Sequence, residues 1–232
     1  MPWLDPNDVE VVESVESTQD EVKRRLALGQ AVPACLLALD QTKGRGRFGR
    51  EWNSAPGESL TMSVVLDVLP KPWMSGFALA LAAAGTFHCR LQWPNDLTIR
   101  RKKVGGILTE MVDSPLGPRT VVGLGVNLSQ AQFPPDLDPR ATSLYLERGT
   151  KIEPAAAARA VLERLAGMEV PTGWTDLAPI WMLFDETPGK HYRLPTGETA
   201  VALGLGPEGE LICSVEGETR TVMAAEALFG PQ

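Results

Sequence analysis

The sequence is poor in the residues that build metal centres and disulfide frameworks. Of its 232 residues only two are histidine and three are cysteine. Cys35, Cys89 and Cys213 lie far apart among apolar neighbours, without CxxC or Cys/His ligand spacing, so buried reduced thiols are expected. With only His88 and His191 available, zinc would need an unusual carboxylate-rich ligand set, and no structural metal is expected. Long hydrophobic runs are lacking too: the longest, around Phe77 to Ala84, is too short to span a bilayer. The first residues are acidic and proline-bearing, with no basic stretch leading into an apolar one, so a cytoplasmic protein without a membrane partner is expected.

Positive charge is also in deficit. Twenty-two Lys and Arg against 29 Asp and Glu give a net charge of −7, which argues against a general nucleic-acid binder. Against that background the run Asp40 to Trp52, DQTKGRGRFGREW, stands out with three glycines and four cations. Glycine allows positive φ and close approach of backbone to a ligand, while arginine forks and free N–H groups suit carboxylate and phosphate oxygens. The run reads as an anion site, although a solvated loop or a nucleic-acid contact has the same composition.

The chain is long enough for one main domain and a small second one. Val9, Val11, Val12 and Val15 suggest an opening strand. Ser17 then starts a helix as a cap, Val22 and Leu26 carry its apolar face, and Gly29 stops it. Ala34 to Leu39 reads as a buried strand that delivers the glycine-arginine loop, and Leu60, Met62, Val64 and Leu66 alternate as in a strand beyond it. The loop therefore joins two strands, and it lacks the G-x-x-x-x-G-K-[ST] spacing of nucleotide hydrolases.

Met74 to Cys89 predicts a buried helix. Leu91 to Ile99 predicts a strand broken by Pro94, with Asn95 and Asp96 suited to a turn, and Lys103 to Met111 a further strand opening on Gly105-Gly106. A turn at Pro115 to Arg119 leads into Thr120 to Leu128. Gln130 to Arg140 reads as a long mobile loop, followed by helices from Pro154 to about Ala166 and from Trp174 to Phe184. Short β-like runs at Thr199 to Leu203, Leu211 to Val215 and Arg220 to Val222 then predict a small barrel. A domain boundary is placed near residue 186, dividing 1–185 from 186–232.

GRGRFGREW at Gly44 to Trp52, WPND at Trp93 to Asp96, KVGGIL at Lys103 to Leu108 and GLGVN at Gly123 to Asn127 occur in this order. Together they resemble the biotin protein ligases, the biotin–[acetyl-CoA-carboxylase] ligase family, over most of the chain. The resemblance implies an α+β fold: a mixed, mainly antiparallel sheet flanked by helices, like the class II synthetase and SH2-like cores, with a C-terminal SH3-like barrel. It implies ATP and biotin as substrates, Mg²⁺ as the accompanying ion and a biotin carboxyl carrier protein or domain as acceptor. Biotin would be activated as biotinyl-5′-AMP and then passed to a carrier lysine.

By motif position, the resemblance assigns biotin contacts to Ser17, Thr18, Gln41, Gly44, Arg45, Lys103 and Gly106. Arg45, Arg47, Trp52, Asn95, Lys103 and Asn127 would meet ATP or the adenylate, Trp52 by stacking on adenine. Lys103, Arg45, Arg47 and Asp96 are the candidate catalytic residues, with Asp96 orienting or deprotonating the acceptor lysine. Read from the residues alone, Ser17 and Thr18 are more readily a plain helix cap than ligands, since caps are common, and Asn95 and Asp96 suit a plain turn. Gln92 and Phe48 stand where the family commonly has basic residues. No segment precedes the catalytic region that would hold a winged-helix domain, so the monofunctional form is expected and DNA is not an expected partner. A homodimer through a sheet edge stays open. A lipoate or octanoate attachment enzyme on the related fold is the nearest alternative, and a nucleic-acid binder using the arginine loop is the alternative of a different class.

Overall fold

Alternation decides which side of each central strand meets which layer. In the computed structural model, which describes residues 3–135, 137, 139–194 and 196–223, the elements run β1 (Val9–Val15), α1 (Thr18–Ala27), β2 (Cys35–Gln41), β3 (Ser59–Asp67), α2 (Trp73–Phe87), β4 (Arg90–Gln92), β5 (Asp96–Ile99), β6 (Lys102–Val112), β7 (Arg119–Asn127), α3 (Leu144–Arg148), α4 (Pro154–Ala166), α5 (Trp174–Phe184), β8 (His191–Arg193), β9 (Thr199–Leu205), β10 (Leu211–Val215) and β11 (Glu218–Val222). Leu60, Met62, Val64 and Leu66 of β3 join Cys35 and Leu37 of β2 and Val122, Leu124 and Val126 of β7 in one large buried cluster with α2 and α4. Leu36 and Val121 point the other way, against Val22 and Leu26 of α1. Period-2 strands thus serve two layers at once.

Seven strands form the main sheet in the order β1-β2-β3-β7-β6-β5-β4. Only β1 and β2 run parallel, and every other pair is antiparallel. This is the mixed, mainly antiparallel α+β architecture expected from the sequence. The cap reading of Ser17 also holds locally, since its hydroxyl accepts from Asp20 N at 3.4 Å, and Gly29 follows the helix with φ +66°. Helix α2 stops two residues before the expected Cys89 because His88 turns left-handed, φ 43°.

Strands β8 to β11 form a second sheet, β11-β10-β9-β8, all antiparallel. They lie where the C-terminal barrel was expected, and that segment continues past the described residues at 224–232. Its apolar face, including Tyr192, Ala202, Leu211 and Cys213, is continuous with the main core. Trp93 is the fastener: its Nε1 donates to Gly209 O at 2.9 Å, its carbonyl accepts from Tyr192 OH at 2.7 Å, and its N donates to Thr187 Oγ1 at 2.9 Å. A fully buried indole with its donor satisfied is a strong anchor, and truncating such a residue to alanine costs about 3–5 kcal/mol. The tryptophan of WPND therefore holds the small sheet against the large one. All three cysteines are buried and free, as expected. No helix among the described residues is long and apolar enough to cross a membrane.

Candidate active site

Strand β7 shows why a cleft opens on the α1 side of the sheet. Its residues facing that side are Val121, Gly123, Gly125 and Asn127, so after Val121 two side chains in succession are missing. A β-carbon on Gly123 would come within 2.8 Å of Gln19 Oε1, and one on Gly125 within 2.7 Å of Trp52 Cε2. The glycines make room for a buried amide and an indole, and a cleft of about 1150 Å³ lies over them. Ser17, Thr18, Gln41, Arg45, Arg47, Trp52, Asn95, Asp96, Lys103, Gly106 and Asn127 all line it. Gly44, the remaining residue singled out from the sequence, sits behind the lining, with its carbonyl accepting from Trp52 N at 2.9 Å.

One wall is neutral and rich in acceptors. Gln41 Oε1 accepts from both Thr18 N (2.8 Å) and Thr18 Oγ1 (3.0 Å), Thr18 Oγ1 lies 2.9 Å from Ser63 Oγ, and Ser63 Oγ donates to Gln19 Oε1 at 3.0 Å. Backbone groups fix both amides, because Gln19 Nε2 donates to Leu108 O and Val121 O while Thr18 N must donate to an oxygen. Two hydroxyl protons then serve three contacts, so one contact is short of a proton. The oxygens of this row therefore have acceptor capacity left for a ligand N–H, and Gln41 Nε2 is left to donate to a ligand oxygen. Sequence reasoning missed Gln19 and Ser63. The signals were present: Gln19 adjoins Ser17-Thr18, and Ser63 is a polar residue on the alternating face of β3.

The opposite wall carries charge. The glycine-arginine loop closes on itself through Gly46 N to Arg50 O at 2.7 Å and makes one 3-10 turn at Arg47–Gly49, with Phe48 left-handed at φ 57°. Arg47 packs its guanidinium 4.7 Å from the Phe48 ring centroid and donates to Asn95 Oδ1 at 3.3 Å. Burial lowers its pKa, the Asp96 carboxylate works against that, and Arg50 adds to the lowering. Phe48, where the resemblance led one to look for another arginine, thus supports Arg47 with its ring.

Arg45 pairs with Asp20 and, at 3.2 Å, with Glu110. Burial alone would lower its pKa, but those two carboxylates raise it. Its guanidinium is already engaged with carboxylates, which is the chemistry expected of it, though here the carboxylates belong to the chain. Lys103 Nζ lies 2.6 Å from Asp96 Oδ1. The same lysine's backbone N donates to Arg140 O at 2.7 Å and its O accepts from Thr142 N at 2.8 Å, which pins the end of the 130–140 loop beside the ammonium. Residues 136 and 138 of that loop lie outside the described set. Asn127 Nδ2 donates to Thr142 O at 3.0 Å, holding the same segment from below.

For Mg²⁺ the donors are few. Among the described residues no group of three or more His, Cys, Asp or Glu is placed to hold a metal. Asp96 and Asn95 offer oxygens in the cleft, a set that fits an ion held mainly by phosphates and water.

A neutral, amide-lined recess thus meets a cationic wall across one mixed, mainly antiparallel sheet, and this architecture is that of a ligase family. The chain belongs to the biotin/lipoate A/B protein ligase family, whose model matches residues 11–127. It is 31% identical to a biotin–[acetyl-CoA-carboxylase] ligase of Mycobacterium tuberculosis, over 95% of this chain and 88% of that one. It is 30% identical to the bifunctional ligase/repressor BirA of Bacillus spizizenii, over 95% of this chain and 74% of that one. Its fold matches the biotin protein ligase of Aquifex aeolicus in complex with biotin and ATP with a TM-score of 0.71 at 25% identity, covering 95% of this chain and 97% of that one.

Proposed function

We propose that this protein is an ATP-dependent biotin protein ligase. It joins biotin to ATP as biotinyl-5′-AMP and then biotinylates one lysine of a biotin carboxyl carrier domain. The observation that carries the biotin branch over lipoate or octanoate is the proton-short wall of Thr18, Ser63 and Gln41. A ureido ring has N–H donors for the hydroxyl oxygens and a carbonyl for Gln41 Nε2, with Ser17 and the Gly44 backbone beside it. A dithiolane or a plain acyl chain offers that wall nothing.

In the first step a biotin carboxylate oxygen attacks the α-phosphorus and pyrophosphate leaves. Two anions must meet, so fixed positive charge in a water-poor cleft lowers the barrier. Lys103 and Arg47 supply it at the phosphate, and Arg45 bridges carboxylate and phosphate once it exchanges Asp20 and Glu110 for the ligands. Gly106 lets the acyl chain run along β6, Trp52 stacks on adenine over Gly125, and Asn95 and Asn127 order the nucleotide side. Mg²⁺ would travel with the phosphates and touch at most Asp96 and Asn95, supplying charge neutralisation.

In the second step the acceptor amine attacks the acyl carbon, AMP leaves and the nitrogen loses a proton. A lysine with a pKa of about 10.4 is free amine less than roughly 0.1% of the time at neutral pH. Asp96, beside Lys103 in the cleft, orients the incoming amine and takes its proton on this reading. The two-domain division at residue 186, with the small sheet as an SH3-like unit, and a cytoplasmic location complete the proposal.

The test is direct. Protein, Mg²⁺, ATP and a carrier domain are mixed with biotin, lipoate or octanoate, and pyrophosphate and carrier mass are measured. Biotin-dependent pyrophosphate release and one added biotinyl group are expected. Preference for lipoate or octanoate, or salt-dependent DNA or RNA binding without ligation, would overturn the reading.

A further inference from the structure

The turn joining β5 to β6 departs from backbone preference, and it does so with charge. Ile99 pairs with Lys102, leaving Arg100 and Arg101 as a two-residue hairpin loop with φ of 50° and 67°. Positive φ at both central positions is the mark of a type I′ turn, where asparagine and glycine are the low-cost occupants. An arginine at each strains the backbone, and strain of this kind persists where the side chains serve another purpose. Both face solvent: the Arg100 side chain is 81% exposed, and Arg101 and Lys102 are exposed beside it.

Arg101 stands on the rim of the main cleft with Lys190, His191 and Arg193, and exposed Arg140 lies on the same rim. A shallower cavity of about 410 Å³ separates Arg101 from Lys190 and also meets Asp185 and Glu186. Those carboxylates already accept internal hydrogen bonds, Asp185 from Thr187 N at 2.9 Å and Glu186 from Thr98 Oγ1 at 2.8 Å. Glu147, 3.5 Å from Arg100 Nε, accepts from Thr142 Oγ1. Among the described residues cations outnumber carboxylates at this rim, on a chain of net charge −7.

We propose that the Arg100-Arg101 tip, together with Lys190 and Arg193, docks an acidic face of the protein that presents the acceptor lysine. The proposal rests on the ligase reading above and names how its macromolecular substrate is recognised. Asp96, which meets the amine on that reading, begins β5 four residues before Arg100, so the tip stands roughly 13 Å beyond it along the strand. A small amine would not reach it, whereas a protein inserting a lysine would cover it. Rim charges of this kind act on encounter and register more than on chemistry.

Two double variants separate charge from backbone. Arg100→Asn with Arg101→Gly suits the turn and is expected to melt no lower than the parent, while Arg100→Glu with Arg101→Glu reverses the charge. Three rates are read: pyrophosphate release with biotin and ATP, transfer from preformed biotinyl-AMP to hydroxylamine, and transfer to a carrier domain. The first two should be unchanged. Carrier kcat/KM at low salt should fall about tenfold in the Asn/Gly variant and further in the Glu/Glu variant, with the gap closing near 0.5 M NaCl, where screening falls to about 4 Å. Carrier transfer within about twofold of the parent in both variants would overturn the proposal. A raised ATP KM with carrier transfer otherwise intact would overturn it too, assigning the tip to nucleotide phosphates. A parent that releases no pyrophosphate with biotin would overturn the ligase reading and the docking with it.

Discussion

The Trp52 indole lies so close over Gly125 that a β-carbon on the glycine would meet Cε2 at 2.7 Å and Cζ2 at 2.9 Å. The strand backbone thus serves as a floor for the ring, and Trp52 Nε1 is buried there without a hydrogen-bond partner. On the proposed reading the ring's other face takes adenine. Gly125→Ala must displace the indole, and it should weaken ATP and acyl-adenylate binding about tenfold while changing free biotin affinity little. Calorimetric titration of each ligand checks this. Equal losses for biotin and ATP would mean that the glycine only supports the cleft as a whole.

Lys103 and Asp96 lie 2.6 Å apart, and the proposed reading divides the pair between the two steps. Lys103→Ala should slow pyrophosphate release by a factor on the order of 10²–10³, the size of losing one preorganised donor. Asp96→Ala should impair transfer from preformed biotinyl-AMP to the carrier more than it impairs adenylation. Normal single-turnover transfer by the Asp96 variant would remove that residue from the second step.

The acceptor wall can be tested by counting protons. Ser63→Ala removes one hydroxyl and leaves Gln19 Oε1 without its 3.0 Å donor. Biotin affinity should fall about tenfold, near the cost of one unsatisfied buried acceptor, with ATP affinity unchanged. An unchanged biotin Kd would show that Thr18 and Gln41 work without the row behind them.

Much of this was legible in the chain, for reasons that differ by element. Helices α4 and α5 were readable to their ends, since Pro154 sits at the first turn and the apolar residues keep helical spacing. Helix α3, Leu144–Arg148, and strand β8, His191–Arg193, were not. Each is too short to show a period, and α3 exists because Ser143 Oγ accepts from Leu146 N at 3.1 Å beneath the cleft. Residues named from motifs gather in one cleft because GRGRFGREW follows β2, WPND joins β4 to β5, and KVGGIL and GLGVN lie on the paired strands β6 and β7. Arg45's hold on Asp20 and Glu110 was invisible, because it joins residues 25 and 65 positions away, and neither carboxylate belongs to a motif.

Burial makes a prediction for the thiols. It pushes Cys35 and Cys89 up to about 12, with Asp8 adding to the effect at Cys35 and Arg148 opposing it at Cys89. Thiolate at pH 8 is then roughly one part in ten thousand, before access is considered. Neither should react with Ellman's reagent in the native protein, and both should react in urea. Rapid native labelling of either would show that its part of the core opens.

A pH-sensitive anchor of the site is in α1. Hydrogen bonds from Arg24 (2.8 and 2.9 Å) and Arg25 (2.7 Å) lower the Glu21 carboxyl from 4.5 to about 2, and Arg25 also grips Glu10 of β1. This network fixes the helix whose first turn carries Thr18 and Gln19. Because the folded value lies below the unfolded one, the unfolded chain binds more protons between about pH 4.5 and 2. The stabilisation is therefore complete above about pH 4.5 and is lost as pH falls toward 2. Glu21→Gln should cost about 1–2 kcal/mol at pH 7, less than the full shift would give because the side chains are partly solvated. Urea unfolding at pH 7, 4 and 2.5 should show the gap between parent and variant shrinking stepwise. A gap independent of pH would mean that Glu21 acts through packing, and Arg25 would then hold α1 through Glu10 alone.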